Sequence, residues 1–242
     1  MSNNKNIKFS IVTATYRKLD GSTYDHLKNT LMSLKNQTYD NYKLFLIGDN
    51  YTDNEELIEL SKILPAEKVY LKNLPVAVER EKYSGRDLWS CGGRNANMTG
   101  IKQALKEDGD YLCRLDHDDM FFPDHLETIY DCIQKTKTNF IATKCGSYPN
   151  TPPTGLYTKY RPIASRLFKV SVCLNQKYYN LLPIELDKMK EKYGRIYPGD
   201  ADLWNQISVF MKERNEYGVF INKVTCRKIG GKYPINHPEV VK

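Results

Sequence analysis

Three aspartates within four residues are the part of this chain best suited to chemistry. Asp116, Asp118 and Asp119 follow the apolar stretch Tyr111–Cys113. Two carboxylates about 5 Å apart repel by roughly 3 kcal/mol at an effective dielectric of about 20, so the cluster should either hold a cation or spread into water. Oxygen ligands at a strand end suit Mg²⁺ or Mn²⁺ with a phosphate-bearing substrate better than they suit zinc. The alternative is a solvated acidic turn.

Carboxylates also occur at two other places that could face a ligand. Asp49 follows the apolar run Lys43–Ile47 and could accept hydrogen bonds from a nucleobase or a ribose hydroxyl, although a turn-forming aspartate explains it equally well. Asp200 and Asp202 come after Pro198, where a helix is predicted to begin, and one of them could take the proton of an attacking hydroxyl. Because aspartate is favoured in the first turn of helices, capping alone would explain at least one of this pair.

The elements that must position these residues alternate between strands and helices. Strands are predicted at Lys8–Val12, Lys43–Ile47, Lys68–Leu71 and Tyr111–Cys113. Helices are predicted around Leu27–Leu34 with Ser22 or Thr23 as cap, around Leu57–Leu64 with Asp53 and Glu56 as a capping box, and from Arg94 to Gly109. This alternation predicts an α/β fold with a Rossmann-like, mostly parallel open sheet and helices on both faces.

The predicted sheet brings distant residues together. Ligands of such sheets bind beyond the carboxyl ends of the strands. Thr13–Tyr16, Asp49 and Asp116–Asp119 all follow predicted strands, so we expect them to share one edge. Arg94, at a helix start after two glycines, could contact a phosphate or orient an acidic neighbour there, or could be one more surface arginine.

The second half of the chain is less regular, which is typical of a region that recognises a second substrate. A helix is predicted from Pro123 through Ile133, a strand at Phe140–Thr143, a strand-like piece at Leu167–Val170, a short polar helix near Glu185–Tyr193, and a helix with Leu203, Ile207, Phe210 and Met211 inward. Long loops are predicted at Pro75–Cys91 and Tyr148–Pro162.

The bulk properties describe an ordinary globular protein. In 242 residues, 40% are hydrophobic and 27% charged, and the polar N-terminus has neither a signal segment nor an apolar run long enough to cross a bilayer. The six cysteines include no C-x-x-C pair and suggest reduced thiols in a cytoplasmic protein. The net charge of +7 would attract phosphorylated metabolites, anionic membrane surfaces or nucleic acid without choosing among them. No RNP pattern, zinc finger or basic helix favours nucleic acid, while peripheral membrane contact and oligomeric state stay open.

Six motifs, taken in order, resemble the family 2 glycosyltransferases of the GT-A fold over about Phe9 to Phe210. They are Phe9–Tyr16, Leu34-x-x-Gln37-Thr38-Tyr39, Leu46–Asp49, Arg94-Asn95, Leu115–Asp119 and Gly199–Trp204. The resemblance implies a metal-dependent inverting transfer of a sugar from a nucleotide sugar, in the first place a UDP-sugar, to a hydroxyl of a glycan or glycoconjugate. It also implies a nucleotide-sugar-binding half, residues 1–120, and an acceptor-binding half with the catalytic base, residues 121–242, of a single domain.

The same resemblance implies a role for each matching residue. Asp200 would be the catalytic base, with Asp202 as its competitor. Asp118 and Asp116 would bind Mn²⁺ or Mg²⁺ through the DxD motif, and Asp116 could instead contact the ribose. The donor would be held by residues of the strand ends and of one helix start, namely Thr13, Ala14, Thr15, Tyr16, Asp49, Arg94, Asn95, Asp116 and His117.

The chain departs from the family pattern in two places. Gly199-Asp200 stands where two acids are often found, as does Gly48-Asp49. His237 could fold back as a further metal ligand, although Pro238 and the charged tail suggest a mobile end.

A nucleotidyl or phosphoryl transferase would use similar aspartates and Mg²⁺, but the chain lacks the G-x-x-x-x-G-K-[ST] loop. The third possible function is that of a module that binds a nucleotide sugar and does not turn it over.

Overall fold

The computed structural model describes residues 6–146, 157–162, 169–180, 188, 190–191, 194–196 and 199–228. Its strands are β1 (Phe9–Thr15), β2 (Tyr42–Gly48), β3 (Val69–Asn73), β4 (Tyr111–Arg114), β5 (Asp119–Phe121), β6 (Phe140–Cys145), β7 (Tyr157–Tyr160), β8 (Val172–Asn175) and β9 (Gly218–Lys228). Its α-helices are α1 (Ser22–Lys35), α2 (Asn54–Ser61), α3 (Val78–Lys82), α4 (Gly85–Cys91), α5 (Arg94–Ala104), α6 (His125–Thr136) and α7 (Gly199–Glu213). No helix among these residues is long and apolar enough to cross a membrane.

The first half of the sheet is parallel, with the strand order β3-β2-β1-β4. Every residue of β1 is buried, because helices cover both of its faces. Phe9 and Ile11 pack in the core cluster that contains Leu27 of α1, whereas Val12 packs in the cluster that contains Ile101 of α5. The predicted α/β class and its doubly covered sheet are confirmed.

The second half continues the same sheet with mixed pairing. β8 is antiparallel to both β4 and β6, and β9 is parallel to β6. Consequently β9 runs in the direction of β4 and ends at the edge where β1, β2 and β4 end. By the same geometry β8 begins at that edge. The two proposed halves, residues 1–120 and 121–242, therefore share one continuous sheet in the described chain.

The prediction of a long loop at Pro75–Cys91 was wrong, because this segment contains the short helices α3 and α4. The five-residue α3 and seven-residue α4 are too short for a repeated apolar pattern. Their buried side chains include Glu79, and a charged residue on the inward side conceals the helical period.

Several predictions about strands were also wrong. Residues 169–171 form a 3-10 helix instead of a strand, and the strand starts only at Val172; Leu167 and Phe168 lie outside the described residues. Tyr157–Tyr160, predicted as loop, pairs with β9 as a strand. The 11-residue β9 itself was not predicted, because exposed residues at 222–223 interrupt its apolar pattern.

The two predicted helix caps had different outcomes. Asp53 caps α2 as predicted, and its side chain accepts a hydrogen bond from the backbone N–H of Glu56. The Glu56 carboxylate, which would complete the predicted capping box, accepts hydrogen bonds from Arg17 and Tyr51 instead. In contrast, α1 starts after Gly21 (φ 74°) without a side-chain cap, so the prediction of Ser22 or Thr23 was wrong. The left-handed backbone at this position suits glycine, which has no Cβ.

Candidate active site

The carboxyl ends of the parallel strands place the predicted donor residues along one edge of the sheet. Asp49 follows β2 and Asp118 follows β4, and β1 lies between these two strands. The backbone N–H of Asp49 donates to the carbonyl oxygen of Thr15 at 2.7 Å, which ties the two strand ends together. The edge therefore brings together residues that are far apart in sequence.

A chain of side-chain contacts runs across this edge. The Asp49 carboxylate is only 1% exposed, and Nε of Arg80 donates to its Oδ2 at 3.2 Å. The guanidinium of Arg80 lies 3.3 Å from the ring centroid of Tyr16, and the Tyr16 ring meets the His117 ring edge to face at 5.5 Å. Burial raises the pKa of Asp49, and the charge of Arg80 opposes that rise. Asp49, which was predicted to contact a nucleobase, is thus paired with the guanidinium of Arg80.

The start of α5 is held by a second buried acid. Oε1 of Glu79 accepts the backbone N–H of Asn95 at 2.9 Å, and Gly93 precedes the helix with φ 73°. Burial raises the pKa of Glu79. Burial also lowers the pKa of Arg94, as does the neighbouring charge of Arg114, while Glu79 and Asp202 oppose that effect. Two arginines and two acids therefore lie close together at this helix start.

Two lysines from the second half of the chain lie beside the acidic cluster. Nζ of Lys169 lies 2.7 Å from Oδ1 of Asp116, and Nζ of Lys228 lies 3.7 Å from Oδ2 of Asp119. Burial alone would raise the pKa of Asp116, but these two ammonium groups outweigh burial and hold it well below its usual value. In contrast, burial and the charge of Asp116 raise the pKa of Asp119 well above its usual value.

His117 lies between the acidic cluster and Tyr16. Its side chain is buried, and burial lowers its pKa, although Asp118 and Asp116 oppose the effect. Its carbonyl oxygen accepts a hydrogen bond from the hydroxyl of Thr30 in α1 at 2.9 Å, which anchors the acidic turn to the helix below it. Burial therefore favours the neutral ring, and its Nε2 has no hydrogen-bond partner among the described residues.

Buried polar atoms without a hydrogen-bond partner concentrate at this edge. Within the described residues they include Thr13 Oγ1, Thr15 Oγ1, Asp49 Oδ1, Glu79 Oε2, Arg114 Nε, His117 Nε2 and Asp119 Oδ1. Leaving a buried polar atom unpaired costs about 1–3 kcal/mol, so folded proteins usually satisfy such atoms with a partner. A polar ligand that binds along the edge would satisfy several of them at once.

The candidate bases lie in the first turn of α7. Asp200 belongs to this helix, but its side chain lies outside what the structure describes. Oδ2 of Asp202 accepts a hydrogen bond from Nε2 of Gln206 at 2.6 Å, and its charge acts on Arg94. His237 falls outside the described residues. The helix start is therefore near the α5 start, on the side of the sheet where Leu203 and Trp204 pack.

The donor atoms of the acidic cluster suit a hard divalent ion only in part. Asp116 and Asp118 supply carboxylate oxygens, which Mg²⁺ and Mn²⁺ prefer. Within the described ranges, no group of three or more His, Cys, Asp or Glu residues could hold a metal ion. An Mg²⁺ ion held by one or two of these carboxylates would need further oxygen ligands, such as water or the phosphate oxygens of a substrate.

Sequence interpretation missed four residues of this site, namely Glu79, Arg80, Lys169 and Lys228. Arg80 and Glu79 lie in the segment taken for a loop, and Lys169 precedes a strand whose start was misplaced. Lys228 ends the unpredicted β9. No local pattern marks them, since each is brought to the edge by a pairing between distant segments.

The relatives found by sequence comparison are glycosyltransferases, and the chain is an enzyme of this class. No family model matches the chain. The chain is 29% identical over 234 residues to the uncharacterized glycosyltransferase R139 of Acanthamoeba polyphaga mimivirus, with 91% of this chain and 93% of the relative covered. It is 28% identical over 137 residues to the amylovoran biosynthesis glycosyltransferase AmsB of Erwinia amylovora, covering 54% of this chain and 37% of AmsB.

Solved structures show the same fold at low sequence identity. The S. aureus TarS 1-349 complex with UDP-GlcNAc matches with a TM-score of 0.60 and 13% identity, covering 98% of this chain and 62% of that one. The mannosyltransferase PcManGT of Pyrobaculum calidifontis, in complex with GDP-Man and Mn²⁺, matches with a TM-score of 0.56 and 14% identity, covering 93% and 57%. The chain thus spans about three fifths of these structures and resembles them in fold.

Proposed function

We propose that the chain is a metal-dependent, inverting glycosyltransferase of family 2 that uses a nucleotide sugar, in the first place a UDP-sugar. The observation that carries the proposal is the continuous row of Asp49, Arg80, Tyr16, His117 and the acidic cluster along one sheet edge. Its unpaired buried polar atoms call for a polar ligand. The fold neighbours whose structures contain UDP-GlcNAc, or GDP-Man with Mn²⁺, support a nucleotide sugar as that ligand.

In this proposal the nucleoside binds at the ends of β1 and β2. Asp49 accepts hydrogen bonds from the base, and its unpaired Oδ1 is available for one of them. Thr13, Ala14, Thr15 and Tyr16 line the pocket, and the unpaired threonine hydroxyls offer further hydrogen bonds. Arg80 favours the ionised form of the buried Asp49 carboxylate, because it places an opposite charge at hydrogen-bond distance.

The diphosphate and the sugar would extend from the nucleoside toward the acidic cluster and α5. A divalent ion held by Asp116 and Asp118 would neutralise the charge that develops on the leaving diphosphate. Arg94, Asn95 and His117 would orient the donor, and Glu79 holds the backbone at Asn95 in position.

Transfer would then proceed by a single displacement. Asp200 takes the proton of an acceptor hydroxyl while that oxygen attacks the anomeric carbon and the bond to the diphosphate oxygen breaks, which inverts the anomeric configuration. Asp202, whose Oδ2 accepts a hydrogen bond from Gln206, stays the competing candidate for the base. The acceptor would be a glycan or glycoconjugate bound by the second half of the chain.

The first test of the proposal is a thermal-stability screen. UDP, GDP, UDP-sugars and GDP-Man are added with and without Mn²⁺, since a ligand that binds only the folded state raises the melting temperature. We expect a nucleotide to stabilise the protein in a Mn²⁺-dependent way. The proposal fails if none of them shifts the melting temperature in the presence of the metal.

The second test separates an enzyme from a binding module. The hit from the screen is used as donor in an assay of donor hydrolysis and transfer. Asp200→Asn should lower turnover about 100-fold or more while keeping the thermal shift, whereas Asp202→Asn should keep most of the activity. Equal activity of Asp200→Asn and the wild type would rule out Asp200 as the base. Binding without any turnover by the wild type would favour a binding module, and release of pyrophosphate from nucleoside triphosphates would favour nucleotidyl transfer.

A further inference from the structure

Two lysine side chains of this chain, Lys169 and Lys228, contact the acidic cluster. Lys169 contacts Asp116 at 2.7 Å, and the charge of Lys228 acts on Asp119, Asp116 and Asp118. The sequence suggested that three neighbouring carboxylates must spread into water or hold a metal ion. The structure shows a third solution, in which two ammonium groups compensate much of the negative charge.

The position of Lys169 is built into the fold. It lies in the 3-10 helix just before β8, and the next two residues, Val170 and Ser171, are buried at 1% and 0% exposure. β8 begins at the edge where β4 ends, since these two strands pair antiparallel. The side chains of Lys169 and Asp116 are only 20% and 24% exposed, so this contact is shielded compared with ion pairs on the open surface.

We propose that Lys169 is a resident counter-cation that holds Asp116 in the metal-free protein and that an incoming divalent ion must displace. The proposal rests on the proposed function, in which Asp116 and Asp118 bind the metal. An ion at about 2.1 Å from the same carboxylate would lie close to the ammonium group and repel it. Lys169 therefore weakens the binding of a metal ion that arrives alone.

The same contact couples the metal to the donor. A nucleotide sugar brings diphosphate oxygens that bind the ion and also offer the released ammonium group a new anionic partner. Metal and donor are therefore expected to bind together, while the metal-free site keeps its acids in place. Lys169 acts as a positioning residue in this scheme, because it works through Asp116.

The experiment measures the binding of Mn²⁺ alone, by electron paramagnetic resonance of the free ion, to the intact chain. Lys169→Met should bind Mn²⁺ at least tenfold more tightly than the wild type, whereas Lys169→Arg, which keeps the charge, should bind as weakly as the wild type. Lys43→Met is the matched control. Nζ of Lys43 lies 2.9 Å from Oε1 of Glu107, and both side chains are 24% exposed. Lys43 lies at the start of β2, whereas the proposed site lies beyond the end of that strand.

Unchanged or weaker Mn²⁺ binding by Lys169→Met would overturn the proposal, and so would an equal gain in Lys43→Met. If Lys169→Met does not fold, as judged by its melting curve, Lys169→Gln takes its place and the same criteria apply. Repeating the titration with UDP separates the two proposals. If the wild type binds Mn²⁺ in the presence of UDP, but Lys169→Met binds Mn²⁺ alone no more tightly than the wild type does, only this inference is refuted. Absence of Mn²⁺ binding in every variant, with and without UDP, refutes the proposed function as well.

Discussion

Replacement of Arg80 by methionine tests whether the buried Asp49 depends on its guanidinium partner. Asp49 is 1% exposed, Arg80 is 27% exposed, and Nε lies 3.2 Å from the carboxylate. Removing one partner of a buried ion pair costs about 3–5 kcal/mol, and the partial exposure of Arg80 brings this to about 2–3 kcal/mol. Loss of the stacking on Tyr16 adds about 0.5–1 kcal/mol. We therefore expect Arg80→Met to lower the free energy of unfolding by about 3 kcal/mol at pH 8.

The loss in Arg80→Met should depend on pH in one direction. Burial raises the pKa of Asp49 in the folded protein, and Arg80 opposes that rise, so removal of Arg80 raises this pKa further. A carboxyl group with a raised folded pKa destabilises the protein increasingly as the pH rises from its unfolded pKa through its folded pKa. The difference between wild type and variant is therefore smallest at low pH, where Asp49 is protonated in both proteins.

The assay is urea unfolding of both proteins at several pH values between 5 and 8, with the slope of the free energy against urea as a check on the unfolded state. Lys62→Met serves as the control, because Lys62 and Glu59 are exposed at 62% and 68% and their contact should contribute little. A loss below about 0.5 kcal/mol at pH 8 would refute the electrostatic argument. A loss that is larger at pH 5 than at pH 8 would refute the role of the Asp49 charge.

Two further predictions concern the same edge and the helix behind it. Asp49→Asn should destabilise the protein less than Arg80→Met does, because the charge that it leaves unpaired belongs to the partly exposed Arg80. It should weaken UDP binding about five- to tenfold by replacing a charge-assisted hydrogen bond with a neutral one. Calorimetry with Mn²⁺ and UDP measures this, and undiminished affinity would contradict the role of Asp49. Gly100→Ala should destabilise the protein by about 1–3 kcal/mol, because its Cβ would lie 2.6 Å from Val12 Cγ1 and 3.2 Å from Ile47 Cγ1. Lys102→Ala, at an exposed position of the same helix, is the control in thermal unfolding, and equal melting temperatures of the two variants would argue against close packing of α5 on the sheet.

Local sequence patterns predicted the elements whose burial is periodic. β2 was recognisable from its uninterrupted apolar residues Leu44–Ile47, and β1 from Ile11 and Val12, as expected of strands that helices cover on both faces. The inward residues of α7 were recognisable from their helical spacing: Leu203, Ile207 and Met211 are buried, and Phe210 is partly buried against the same cluster. The same reasoning placed the carboxylates at strand ends, since parallel strands joined by helices must end at a common edge.

The partners of those carboxylates were decided by tertiary structure alone. Lys169 reaches Asp116 across 53 residues, and Arg80 reaches Asp49 across 31. Which basic side chain meets which acid depends on the pairing of β8 with β4 and on the short helix α3, and neither is encoded in a local period of polar and apolar residues. The sequence by itself therefore determined where negative charge collects, because that follows from strand order along the chain. Only the folded sheet determined how that charge is balanced, because the balance depends on contacts between segments that are distant in sequence.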